Sequence, residues 1–107
     1  MKLSIILSTK NAETNWNALR LANLAVKKGD EVNLFLLGEG VEYDQTSSEK
    51  YNIKQQVETF LQSDKAKIAA CGTCMMLRNQ QSTDCCPIGG LEDFYSLIAT
   101  SDKVLTF

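Results

Sequence analysis

The residues best equipped for chemistry in this sequence are four cysteines that all lie within a window of sixteen residues. They are Cys71, Cys74, Cys85 and Cys86. The chain has no histidine, which excludes Ser-His-Asp and Cys-His catalysis, zinc sites with an imidazole ligand and imidazole proton transfer near neutral pH. In a reducing compartment, clustered cysteines are expected to be reactive thiols or metal ligands, because disulfide frameworks do not persist there.

The first two cysteines form a C-x-x-C motif, Cys71-Gly72-Thr73-Cys74, at the predicted junction of a strand with a helix. Free backbone N–H groups and the positive end of the helix dipole favour an anion at such a junction, so a thiolate is favoured over a thiol. Gly72 and Thr73 are therefore predicted to contribute to anion binding. Arg78 lies four residues after Cys74, on the same predicted helix face, and could support a negative sulfur or an oxyanion.

Three kinds of chemistry fit this motif. The first is a thiolate that carries sulfur as a persulfide, the second is a dithiol/disulfide redox pair, and the third is half of a zinc site completed by Cys85 and Cys86. A fourth interpretation has no chemistry, because thiols also pack as small buried hydrophobic groups. Zinc is disfavoured since the adjacent side chains of Cys85 and Cys86 point in different directions along an extended backbone. The site is accordingly predicted to hold no metal and no cofactor.

The second cysteine pair, Cys85 and Cys86, lies in a turn-rich stretch at residues 82–90. If this stretch returns to the same edge of the sheet, one of its thiols could resolve a sulfenate, disulfide or persulfide formed on Cys71. The simpler interpretation is a surface loop whose thiols have no role.

The elements that position these residues alternate between strand and helix. Strands are predicted at residues 2–8, 31–37, 66–70 and 103–107, with a very short one within 82–90; helices are predicted at 13–28, 51–63, 73–80 and 91–100, and a polar loop at 41–50. The last helix carries four apolar residues on one face: Leu91, Phe94, Tyr95 and Ile98. This alternation predicts an α/β fold with right-handed crossovers and a mostly parallel sheet covered on both faces. Ligands gather at the carboxyl ends of such strands, which is where Cys71 lies.

Composition and charge narrow the range of partners. The 107 residues carry a net charge of −2, and no basic cluster exceeds Lys27 and Lys28, so no nucleic-acid partner is expected. The apolar runs are too short for a membrane span and the amino-terminal segment lacks signal-peptide features, which predicts a cytoplasmic protein. The helix at 13–28 is more apolar than one core-facing stripe requires, and this excess predicts contact with another subunit.

The sequence resembles the small DsrE/DsrF/TusD-like sulfur-relay proteins over almost its whole length. The resemblance rests mainly on two segments, I-A-A-C-G-T-C-M-M-L-R at 68–78 and L-E-D-F-Y-S-L-I-A-T-S-D-K-V-L-T-F at 91–107. It implies a single three-layer α/β/α domain over residues 1–107, with a mostly parallel sheet of about five strands. It also implies assembly into a homo-oligomer, either a trimer or a hexamer.

The resemblance further implies a cysteine that carries a persulfide and exchanges sulfur with a donor or acceptor protein. In the relay members this cysteine precedes the arginine of an Arg-Gly pair by seven residues; Cys71 and Arg78 have that spacing, and Asn79 stands in place of the glycine. The sequence thus predicts a persulfide carrier that could act as a sulfurtransferase, with Cys71, Cys74 and Arg78 as catalytic residues. The alternatives are a dithiol/disulfide redox protein that uses Cys71 and Cys74, and a non-catalytic assembly module that binds a small anion or a metal.

Overall fold

One parallel sheet organises the part of the chain that the computed structural model describes, residues 1–81 and 88–107. Its strands are β1 (Lys2–Leu7), β2 (Glu31–Leu36), β3 (Ala66–Cys71), β4 (Ile88–Gly89) and β5 (Lys103–Thr106). Their order across the sheet is β4-β3-β2-β1-β5, and each neighbouring pair is parallel. The predicted α/β fold with about five strands is confirmed, and the very short strand expected within 82–90 is β4.

The helices begin and end close to their predicted positions. They are α1 (Ala12–Lys27), α2 (Ile53–Phe60), α3 (Gly72–Leu77) and α4 (Leu91–Thr100), with a 3-10 helix at Gly38–Glu42. Asparagine caps set two of the starts: Asn11 accepts from the Thr14 N–H at 2.9 Å, and Asn52 accepts from the Gln55 N–H at 3.1 Å. The second cap makes α2 shorter than the predicted 51–63. The 3-10 helix was not predicted, since its residues were assigned to the end of a strand and to a polar loop.

The core lies between the sheet and the helix pair α1 and α2. Side chains alternate between the two faces of a strand, and one alternate set from β1, β2 and β3 meets these helices. The set comprises Leu3, Ile5, Leu7, Val32, Leu34, Leu36, Ile68 and Ala70, which pack with Ala18, Leu19, Ala22, Ile53 and Phe60. Helix α4 covers part of the opposite face, so β1 and β2 are buried on both sides, and four of the six residues in each strand are apolar.

The apolar residues of α4 divide between two faces of that helix. Phe94 packs on Phe35 of β2, with ring centroids 4.6 Å apart. Leu91, Tyr95 and Ile98 point outward and are 84%, 69% and 45% exposed. The predicted single apolar face of this helix is therefore wrong in part: Phe94 meets the sheet, whereas the other three residues form an exposed strip.

The apolar excess of α1 is explained in part within the same chain. Asn23 of α1 donates to the backbone and side-chain oxygens of Gln56 in α2, at 3.1 and 2.8 Å. Trp16 packs against Tyr51, with ring centroids 5.5 Å apart. Part of the apolar surface of α1 is thus covered within the chain, whereas Leu21 and Leu24 remain 38% and 49% exposed, so the predicted contact with another subunit stays a prediction. No helix in the described ranges is both long and apolar enough to span a membrane.

Candidate functional site

Cys71 lies at the junction that the sequence predicted. It is the last residue of β3 and the N-cap residue of α3, so the first free N–H groups of that helix surround its side chain. Its side chain makes no capping hydrogen bond with the backbone of α3, and the N–H groups of Thr73 and Cys74 act on its sulfur electrostatically. Cys71 is a free thiol and is partly exposed to solvent, which a nucleophile requires.

The groups at the start of α3 lower the pKa of Cys71. Partial burial acts to raise the pKa of its thiol, but the backbone N–H of Cys74, the Cys74 thiol and the backbone N–H of Thr73 together outweigh it. The pKa of Cys71 therefore lies below the usual value for a cysteine. A larger fraction of this side chain is thiolate at neutral pH than in an ordinary cysteine.

Cys74 has the opposite acid–base behaviour. Burial raises the pKa of its thiol, as does its hydrogen bond to Cys71, and the N–H of Gly38 and the charge of Arg78 only partly oppose these effects. The Gly38 N–H donates to Cys74 Sγ at 3.2 Å. Of the two thiols, Cys74 therefore holds its proton more tightly than Cys71.

The 3-10 helix supplies two contacts to the site that the sequence did not predict. Gly38 provides the N–H to Cys74, and Glu42 accepts a hydrogen bond from Arg78 Nε at 2.8 Å. A Cβ at Gly40 would lie 1.8 Å from the carbonyl oxygen of Leu7, so only glycine allows this helix to approach the end of β1 so closely. The Gly-x-Gly pattern after a strand was the available signal, but it does not name the partner thirty-six residues along the chain.

Arg78 forms hydrogen bonds beside the two cysteines, and none of them is to the Cys71 sulfur. Its Nε pairs with Glu42, and Nη1 donates to the backbone oxygen of Cys74 at 3.1 Å. Its positive charge acts to lower the pKa of Cys74 and so opposes part of the rise that burial causes. Arg78 is the C-cap of α3, and Asn79 follows it with a φ of +55°. That left-handed conformation explains why Asn79 is a suitable replacement for the glycine of the family pattern.

Gly72 and Thr73 line a shallow depression of about 670 Å³ beside Cys71. A Cβ at Gly72 would approach the Ile88 methyl carbon Cγ2 to 2.6 Å, so the chain of β4 lies close against the start of α3. Thr73 is exposed. Neither Cys71 nor Cys74 lines this depression.

Cys85 and Cys86 lie outside the described residues, so their resolving role stays a prediction. The zinc interpretation requires the same two thiols. Within residues 1–81 and 88–107, no group of three or more cysteine, aspartate, glutamate or histidine residues is placed to hold a metal ion.

The fold and the site together define a small α/β protein with a polarised thiol pair at the carboxyl edge of a parallel sheet. The model of the DsrE/DsrF-like family matches residues 1–107, and the chain belongs to that family. It is 30% identical to the uncharacterized protein MJ0989 of Methanocaldococcus jannaschii over 115 aligned positions, which cover all of both chains. Its structure resembles the crystal structure of the YchN protein from E. coli, with a TM-score of 0.82, 28% identity and full coverage of both chains.

Proposed function

We propose that this protein carries sulfur as a persulfide on Cys71. The observation that supports this most strongly is the position of Cys71 at the start of α3, where the N–H groups of Thr73 and Cys74 favour a thiolate at a partly exposed position. Membership of a family of the sulfur-relay type points to the same chemistry. A donor protein or small persulfide would load the site, and an acceptor protein would unload it.

Loading is a displacement at the outer sulfur of a donor persulfide, R–S–SH. The Cys71 thiolate attacks that sulfur, a new S–S bond forms, and the bond between the two donor sulfurs breaks. The donor leaves as the thiolate R–S⁻ and takes up a proton from solvent. Cys71 then carries an –SSH group, and the same N–H groups would favour its persulfide anion.

Unloading is the same displacement in reverse. An acceptor thiolate attacks the outer sulfur, the S–S bond to Cys71 breaks, and Cys71 returns as the thiolate leaving group. A low thiol pKa makes Cys71 a better leaving group, so the same N–H groups assist this second step. Cys74 keeps its proton and donates to the Cys71 sulfur, while Arg78 and Glu42 fix the helix and the 3-10 segment that hold both thiols.

The proposal is tested by intact-mass measurement after incubation with glutathione persulfide. Wild-type protein should gain about 32 Da for one sulfur, and Cys71→Ser should gain nothing at the same donor concentration. Cys74→Ser and the double variant Cys85→Ser/Cys86→Ser are matched controls that keep the nucleophile and should still gain one sulfur. Equal gain by Cys71→Ser would show that another thiol accepts the sulfur.

The hydrogen bond between the two thiols also favours a second candidate function, a dithiol/disulfide exchange. Here the Cys71 thiolate attacks a disulfide R–S–S–R, releasing one R–S⁻, and Cys74 then loses its proton and attacks Cys71, releasing the second. The product is a Cys71–Cys74 disulfide about 2 Da lighter than the dithiol. That mass change on treatment with oxidised glutathione, together with no sulfur uptake, would favour this function, whereas no change in either assay would favour an anion- or metal-binding module.

We further propose that the active form is a homo-oligomer, a trimer or a hexamer. The exposed strip of α4, formed by Leu91, Tyr95 and Ile98, is the surface that supports this. We also place the protein in the cytoplasm, because free thiols such as Cys71 and Cys74 are maintained in a reducing compartment.

A further inference from the structure

A cavity of about 710 Å³ lies between the sheet and α4, on the face opposite α1 and α2. This volume is within the range of small-molecule sites. Strand β4 pairs with Ala70 and Cys71, and no described residue pairs with β3 on that side before Ala70. Neither Cys71 nor Cys74 lines it, and it is distinct from the thiol site.

Asn33 supplies an unpartnered hydrogen-bond donor to this cavity. It is on β2, lines the cavity and is only 6% exposed, and its Nδ2 has no hydrogen-bond partner among the described residues. On the neighbouring strand, the buried hydroxyl of Ser4 is satisfied by Ser101. A buried amide donor without a partner is unfavourable, so Asn33 is placed for an acceptor that the protein itself does not supply.

Lys67 brings a positive charge to the same place. It is the register partner of Asn33 on β3, so the two side chains stand on one face of neighbouring strands, about 5 Å apart at their bases. Lys67 lines the cavity and is exposed, and its ammonium group has no hydrogen bond or ion pair within the described ranges. Lys2, at the same wall, already donates to Thr100 Oγ1 at 2.8 Å.

The remaining walls favour an apolar body. Ala69, Ile88 and Leu97 line the cavity. Asp93 is the carboxylate at its wall, and one of its oxygens already accepts from the Gly90 N–H at 2.7 Å. A cationic ligand would meet two lysines and one carboxylate that already accepts a hydrogen bond. An anion would gain hydrogen bonds from two donor groups, the side-chain amide of Asn33 and the ammonium group of Lys67.

We propose that this cavity binds a small organic carboxylate with an apolar body. One carboxylate oxygen accepts from Asn33 Nδ2 and the other from Lys67 Nζ, while the apolar body packs on Ala69, Ile88 and Leu97. A carboxylate has two oxygens in one plane, one for each of the two donor groups. It therefore fits this pair better than a phosphate, which presents three oxygens. The proposal does not depend on sulfur chemistry at Cys71.

Sodium octanoate is the probe, and its binding is measured by two-dimensional ¹⁵N NMR of the full chain. Octanoate should cause saturable shifts in the side-chain NH₂ of Asn33 and in the backbone amides of Lys67 and Ala69. Sodium acetate, which lacks the apolar body, and 1-octanol, which lacks the charge, should each bind at least roughly tenfold more weakly.

Variants identify the two donors. Lys67→Met and Asn33→Leu keep the approximate volume of each side chain and should each weaken octanoate binding by roughly tenfold or more. Lys54→Met is the matched control, because Lys54 is an exposed lysine on α2 that does not line the cavity. Should Asn33→Leu fail to fold, Lys67→Met and the Asn33 NH₂ signal of the wild type still decide the matter. Absence of saturable shifts, or equal affinity in Lys67→Met and Lys54→Met, overturns the proposal.

Discussion

At the scale of single residues, two cysteines three positions apart differ in acidity because their surroundings differ. Burial acts to raise the pKa of both thiols, but the N–H groups of Thr73 and Cys74 and the Cys74 thiol act to lower the pKa of Cys71. Cys74 receives the single N–H of Gly38. One thiol is thereby prepared as a nucleophile and the other as its hydrogen-bond donor.

The S–H donor of Cys74 is expected to be needed for the low pKa of Cys71. Replacing Cys74 by alanine removes that donor, so the pKa of Cys71 should rise, and less thiolate should be present at each pH below the new pKa. The pH midpoint of iodoacetamide alkylation, followed by mass spectrometry of the tryptic peptide 68–78, should move upward. Cys74→Ser keeps a hydroxyl donor and should move the midpoint less; equal midpoints in wild type and Cys74→Ala would contradict the assigned role.

Asn79 provides a test of backbone conformation. Its φ of +55° is unfavourable for most residues, so Asn79→Gly should raise the free energy of unfolding by up to about 1 kcal/mol. Asn79→Val should lower it by about 1–2 kcal/mol, because a β-branched side chain resists the left-handed region. Urea unfolding measures both variants, and a valine variant as stable as the glycine variant would be inconsistent with this conformation.

At the scale of elements, the site depends on the meeting of α3 with the 3-10 helix. The strand-to-helix position of Cys71 was predictable, because an apolar run followed by C-x-x-C is a local pattern. The contacts of Gly38 with Cys74 and of Glu42 with Arg78 were not, since each joins residues thirty-six positions apart. Local patterns locate a reactive side chain, but the groups that tune it come from packing.

Gly40→Ala tests the position of the 3-10 helix. Its Cβ would collide with the backbone oxygen of Leu7, which no side-chain rotation relieves, so the free energy of unfolding should fall by roughly 2–4 kcal/mol. The displaced 3-10 helix should also withdraw the Gly38 N–H from Cys74. Gly90→Ala is the control, because its Cβ would meet nothing closer than Asp93 Oδ2 at 3.6 Å. Chemical denaturation compares them, and similar loss in both variants would refute the argument.

At the scale of the whole molecule, the alternation of strands and helices was sufficient to predict the parallel α/β sheet. Which helix faces remain exposed was not predictable, because it depends on tertiary partners. The excess apolar surface of α1 is covered only in part within the chain: Trp16 packs against Tyr51, whereas Leu21 and Leu24 remain exposed. The strip on α4 also remains exposed, with Leu91 and Tyr95 its most accessible members.

An interface on the exposed strip of α4 and an interface on the exposed part of α1 predict different effects of substitution on assembly. If the α4 strip joins subunits, Tyr95→Glu should reduce the mass measured by light scattering to that of a monomer, because an unpaired charge would be buried in the interface. Leu24→Glu, on the exposed part of α1, is the matched control and should leave the oligomer intact. The reverse result would place the interface on α1.

The most direct test of the central claim is to locate the transferred sulfur within the chain. Trypsin separates residues 68–78, which contain Cys71 and Cys74, from the peptide that contains Cys85 and Cys86. After loading with glutathione persulfide and capping with iodoacetamide, fragmentation of peptide 68–78 should place the additional mass of about 32 Da on Cys71. The mass should disappear when an acceptor thiol is added before capping. Sulfur located on Cys74, Cys85 or Cys86, with Cys71 unmodified, would contradict the account.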